Sequence, residues 1–139
     1  MPQLNKTTIG IIAVGAIVAV VFLMRTSSNN GGSGPPLVQV SVPLLSAKAK
    51  QGETLYNANC ASCHGRNAVG QDGIAPPLVH KIYEPNHHAD GSFQRAAKYG
   101  VRAHHWPFGN MPPVKDITRR DVSKVIVYVR ELQRANGIN

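Results

Sequence analysis

The sequence is poor in the materials of a disulfide scaffold or a large enzyme. Two cysteines in 139 residues exclude a multi-disulfide framework, and the length leaves room for one domain with a modest core. Acidic residues are scarce: seven Asp and Glu face fifteen Lys and Arg, a net charge of +8. That balance points to nucleic acid, an anionic membrane surface or an acidic protein as partner. Aromatics make up only 6% of the chain, with a single Trp, so the cations are not interleaved with a stacking surface and nucleic acid is set aside. No internal repeat and no credible strand pattern occur. What is present, 42% hydrophobic residues with 13 Gly and 10 Pro, describes a folded, loop-rich chain.

Charge and hydropathy divide the chain into three parts. Residues 9–24 form an unbroken run of apolar residues and glycines. Extended by Thr7 and Thr8, the run makes a helix of ~27 Å, close to the ~30 Å of a hydrocarbon core. It closes on Val20, Val21, Phe22, Leu23 and Met24 with no A-x-A pattern after it, so residues 1–25 are expected to be a retained membrane anchor in preference to a cleaved secretory segment. Lys6 precedes the run and residues 26–47 carry no charge, which favours the N-terminus inside. Residues 26–45 are then a linker: TSSNNGGSGPP reads as a flexible tether, and residues 37–45, with Val38, Val40 and Val42 alternating, as a short extended arm. Residues 46–139 form the folded domain. Three helices are expected there. The first starts at Ser46 as N-cap and ends near Cys60; the second starts at Asp90 or Ser92 and ends at Gly100; the third starts at Thr118, with Asp121 three residues on, and ends before Gly137. Val122, Val125, Ile126, Val129 and Leu132 make one apolar stripe on the last. The domain is therefore all-α, and its long loops require a central object to complete the core.

Cys60-Ala61-Ser62-Cys63-His64 identifies that object. C-x-x-C-H is the pattern for covalent attachment of haem c: each sulfur forms a thioether with one vinyl group, and the adjacent His becomes the proximal iron ligand. A thioredoxin-like dithiol needs a strand before and a helix after, and a zinc site needs two more ligands at compact spacing; neither context is present. For the sixth iron ligand the first candidate is Met111, the only Met outside the N-terminal segment. Two prolines follow it and hold its loop extended. His104 and His105 are the competing donors, and a gap-filling core role for Met111 is the alternative. The four residues His87, His88, His104 and His105 read first as solvated loop side chains. A hydrogen bond from His104, His105 or Trp106 to a haem propionate, or a surface copper or zinc site, is the other reading. Arg119 and Arg120 in the first turn of the last helix run against the helix dipole. With Lys115 they form a candidate steering patch for an acidic docking site.

Residues 59–65, the loop of residues 70–78, the Met111 loop and the helix around Tyr128 together resemble the class I cytochrome c family, over roughly residues 46–139. The resemblance implies a cytochrome c fold, a few helices around one covalently bound haem. It also implies that Gly52 and Tyr56 mark where the first helix crosses the last near Tyr128, and that the Pro76 carbonyl accepts a hydrogen bond from the axial His64. Haem c is held by Cys60, Cys63, His64 and Met111, with His64 and Met111 on the iron. The function expected is one-electron transfer, not enzymatic turnover, between respiratory or photosynthetic complexes. The domain is expected in the periplasm, held by a single-pass anchor in a bacterial inner membrane, with an acidic partner such as a terminal oxidase or a quinol-oxidising complex. The alternative is a fixed haem c subunit of an oxidase or dehydrogenase.

Overall fold

The computed structural model describes residues 34–139. The expected anchor, residues 1–25, and the linker as far as residue 33 lie outside the described residues. Among the described residues no helix is long and apolar enough to cross a membrane. Among the described residues there are four α-helices: α1 (Ala47–Asn59), α2 (Ala61–His64), α3 (Asp90–Tyr99) and α4 (Arg119–Ala135), with 3₁₀ turns at Arg66–Ala68 and Lys81–Tyr83. No strand occurs among the described residues; two isolated bridges, Gln71 with Ala75 and Val101 with Met111, are the only extended pairings.

The two longest helices, α1 and α4, begin where their polar caps dictate. The Ser46 hydroxyl accepts from the Ala49 N–H at 3.2 Å and donates to the Glu131 carboxylate at 2.7 Å, so the start of α1 is tied to α4 at once. Thr118 and Asp121 close a reciprocal capping box at the start of α4. Gly100, at φ +75°, ends α3.

The core lies where α1 crosses α4. Gly52 makes the crossing possible, because a Cβ there would stand 2.1 Å from the Lys124 carbonyl oxygen. Tyr56 and Tyr128 meet at the same place with ring centroids 5.4 Å apart. Both are fully buried, and both phenols are satisfied: Tyr56 donates to the Gly65 carbonyl at 2.9 Å, Tyr128 to Asn67 Oδ1 at 3.1 Å. The whole expected stripe of α4, Val122, Val125, Ile126, Val129 and Leu132, is buried.

Two features depart from expectation. The composition of residues 34–45 suggested linker, yet this segment is docked on the domain. Leu37 and Val38 both donate to the Val69 carbonyl, Asp72 donates to that of Pro35, and Ser41 and Asn136 exchange hydrogen bonds. Val40 and Leu45 pack on the core, so the few apolar side chains of the segment find a surface that composition alone does not show. Second, α4 buries Arg130 and Gln133 beside its apolar stripe. Arg130 reaches Asp90, the Tyr83 and His88 carbonyls and Gln133; Gln133 reaches the Leu78 and Tyr83 carbonyls. The loop between the attachment motif and α3, which has little secondary structure of its own, is thereby fastened to α4 by part-buried hydrogen bonds, those from Arg130 charge-assisted.

Candidate functional site

The attachment motif sits at a break between helices. Cys60 leaves helical geometry at φ −126°, ψ −32°, and α2 then carries Ala61–His64 through one turn before Gly65, at φ +72°, turns the chain away. A Cβ at Gly65 would lie 2.8 Å from the Gly70 carbonyl oxygen, so the tight return needs glycine twice over. The exposed end of α2 is braced by a residue with no sequence signature, Gln71. Its buried amide donates to the carbonyls of Ala61, Ser62 and Cys63 at 3.3, 2.9 and 2.9 Å; Ala61 also accepts from the Gly65 N–H, while the Ser62 and Cys63 carbonyls are acceptors that a one-turn helix leaves open.

His64 is buried, and its Nδ1 lies 2.8 Å from the Pro76 carbonyl. A carbonyl only accepts, so Nδ1 carries the hydrogen and Nε2 keeps its lone pair. Burial pushes the imidazole pKa down, opposed by the Pro76 bond, and the ring is held in its neutral, ligating form. Burial, with a smaller contribution from Cys63, pushes the Cys60 thiol up to about 11.

Met111 arrives from the other direction. Val101 and Met111 exchange both backbone hydrogen bonds at 2.9 Å, and Asn110 Oδ1 accepts from the Ala103 N–H at 2.9 Å. Val114 donates to the Ala97 carbonyl, fixing the chain after the two prolines to α3. A Cβ on Gly100 would be 2.4 Å from the Met111 carbonyl oxygen, so the glycine that caps α3 also admits the Met111 strand.

These elements enclose one cavity of about 680 Å³. Cys60, Cys63, His64 and Met111 all line it, along with apolar side chains that include Leu78, Phe93, Val122 and Val125. Every sequence-predicted site residue is therefore brought to the same space. The cavity also exposes a clue to its content. The Trp106 indole N–H is buried with no hydrogen-bond partner, and Trp106 lines the cavity. An orphaned donor facing an apolar chamber fits an acidic group on a bound molecule. Two thiols, a neutral imidazole, a thioether and an unpaired N–H are the set that a haem with propionates requires. His88, His104 and His105 also stand on the cavity wall.

The cytochrome c family model matches residues 49–133. The chain belongs to the cytochrome c family. This cytochrome's cofactor is covalently bound haem c. It is 53% identical over 38 residues to a cbb3-type cytochrome c oxidase subunit CcoP of Azospirillum brasilense, covering 24% of this chain and 13% of that protein. It is 58% identical over 31 residues to cytochrome c-554(547) of Halothiobacillus neapolitanus, covering 22% of this chain and 33% of that protein. The cytochrome thus spans a third or less of the length of either curated relative.

Proposed function

We propose that this cytochrome is a one-electron carrier held at the periplasmic face of a bacterial inner membrane by residues 1–25, passing electrons between larger respiratory or photosynthetic complexes without catalysing a reaction of its own. One observation carries the reading: His64 and Met111, 47 positions apart in sequence, line the same cavity as the two attachment cysteines. Haem supplies the one-electron couple. Cys60 and Cys63 fix the porphyrin edge by two thioethers. His64 presents a neutral nitrogen in an orientation set by Pro76. Met111 presents a thioether, a softer donor than a second imidazole and one that raises the potential. With His64 and Met111 both held by the iron, no position would be left for substrate. The apolar walls exclude water, so little solvent reorganises when charge changes. The apolar run of residues 9–24 supports the anchor, and the basic excess supports an acidic redox partner.

A second reading has its own support. The likeness to an oxidase subunit favours a haem c subunit fixed within an oxidase complex, where the docked segment of residues 34–45 and its exposed Leu44 serve as contact surface. Stoichiometric co-purification with an oxidase from mildly solubilised membranes distinguishes it from a shuttle.

The carrier reading is tested on the full-length holoprotein by spectroscopy. The oxidised form is expected to show the weak long-wavelength sulfur-to-iron charge-transfer band, Met111→Ala to lose it, and the reduced wild type to bind no carbon monoxide at neutral pH. Carbon monoxide binding by the wild type, or a wild-type spectrum that lacks the band and changes only in His104→Ala or His105→Ala, overturns it.

A further inference from the structure

Four histidines that electron transfer does not use converge from two loops. His87 and His88 end the turn that follows the 3₁₀ segment Lys81–Tyr83, with both of their N–H groups donating to the Glu84 carbonyl. Arg130 grips the His88 carbonyl at 2.6 Å, so the backbone beneath this pair is anchored to α4. His104 and His105 lie on the loop of residues 101–111, whose ends are clamped by the Val101–Met111 bridge. The rings of His87 and His88 stack with centroids 4.8 Å apart, and His105 approaches both at 5.3 Å. His104 lies 4.2 Å from His105.

Ring nitrogens of His87, His88 and His105 all fall within 4.8 Å of one another, and the group contains no carboxylate. The His88 Nδ1 is 2.6 Å from the Ile82 carbonyl, which makes it the protonated nitrogen and leaves the Nε2 lone pair open. Its partners, His87 and His105, are exposed and free to turn toward it. Crowded imidazoles with no acidic counter-charge repel when protonated. Accordingly His105, affected first by desolvation and then by His104, His88 and His87, has its pKa pushed down. Three imidazoles from two loops, with a ligand nitrogen of each within 4.8 Å of the others, are a ligand set.

We propose that His87, His88 and His105 form a site for a late first-row divalent cation, Cu²⁺ or Zn²⁺, beside the haem cavity. Three imidazole nitrogens bind the metal, and the remaining position is open to water or to His104. Metal–nitrogen bonds of ~2.0–2.1 Å in tetrahedral geometry place donor nitrogens roughly 3.4 Å apart, so the site closes by rotation of the two exposed rings without movement of the anchored backbone. All-imidazole ligation suits both ions, and the Irving–Williams order makes Cu²⁺ the tighter. Each loop supplies ligands, so the cation cross-links residues 84–88 to residues 101–111 along the wall that His88 and His105 share with the haem cavity. Such a contact joins metal status to the loop that delivers Met111.

The test is isothermal titration of tag-free ferric holoprotein with ZnCl₂ and CuCl₂, with electron paramagnetic resonance of the copper form. The expectation is one equivalent bound with Kd tighter than about 0.1 mM and nitrogen hyperfine structure on the copper signal. Binding should weaken at least about tenfold in His105→Ala and in His87→Ala, and be lost in the double variant. His87 does not line the haem cavity, so the haem absorption spectrum of His87→Ala should match the wild type, and far-ultraviolet circular dichroism verifies the folding of both variants. Failure of the wild type to saturate below about 0.1 mM, or equal affinity in the double variant, overturns the site.

Discussion

Tyr128 shows how a single buried side chain writes a pH dependence into the fold. Burial, then the Glu53 carboxylate, push its pKa up to about 12, with Arg66 drawing it partly back. An unfolded phenol begins to lose its proton near ~10. Between these values the unfolded chain holds fewer protons than the folded one, so stability falls as pH rises, by up to roughly 1.4 kcal/mol per pH unit from this residue. Tyr128→Phe removes that share of the slope and the bond to Asn67, which is worth about 1 kcal/mol at neutral pH. The variant is therefore expected to be less stable than wild type at pH 8, with the gap narrowing above ~10; denaturant midpoints across that range measure it. Single residues also mark the limit of what the sequence discloses. Cys60, Cys63 and His64 were legible because their chemistry demands a fixed local spacing, and Met111 because no other methionine lies in the domain. Gln71 was not: its three acceptors become neighbours only once the chain has turned back at Gly65, and a loop glutamine carries no periodicity to signal that.

At the scale of elements, helix limits were legible almost to the residue. Caps are local, and Ser46, Thr118 with Asp121, and Gly100 act within three or four positions of themselves. The pairing of elements was legible only through family likeness, which singled out Gly52 and Tyr56. In the structure the reason is steric. Gly52→Ala would push a methyl into the Lys124 carbonyl, 2.1 Å away, where backbone has to move. The expected loss is about 1–3 kcal/mol or more, against the small gain that alanine normally brings inside a helix. Thermal unfolding of wild-type and Gly52→Ala holoprotein decides it, and an unchanged midpoint would mean that the crossing relaxes freely. Arg130 and Gln133 were missed for a related reason. Gln133 falls within the apolar stripe, i+4 from Val129 and i+7 from Ile126, and Arg130 at its edge, but their polar character gave no sign of the loop carbonyls that fold over them and satisfy them.

For the molecule as a whole, charge and connectivity set behaviour. The basic excess lies in the described domain, where Arg130 with Asp90 is the one ion pair among the described residues. Lys115 sits between Val114 and Ile117, both on the cavity wall, and Arg119 and Arg120 are exposed in the turn that follows. Electron exchange with an acidic protein partner should slow with added salt, since exposed charges are screened over ~8 Å at physiological ionic strength. Reversing Arg119 and Arg120 to Glu should lower the low-salt rate roughly tenfold and flatten the salt dependence, as read by stopped flow. A rate insensitive to ionic strength in the wild type would remove steering from the account. The Ser46–Glu131 clasp, which joins the first turn of α1 to α4 across 85 positions of sequence, bears on how the chain reaches this state. A nucleus built from the two terminal helices has to close nearly the whole domain as one loop before any of its contacts form, an entropic toll that grows only logarithmically with loop length but falls entirely on the folding rate. Residues 60–64, lying just beyond α1, belong to that nucleus by proximity, so a chain already carrying its porphyrin starts the search with a large apolar body attached where the two helices must meet.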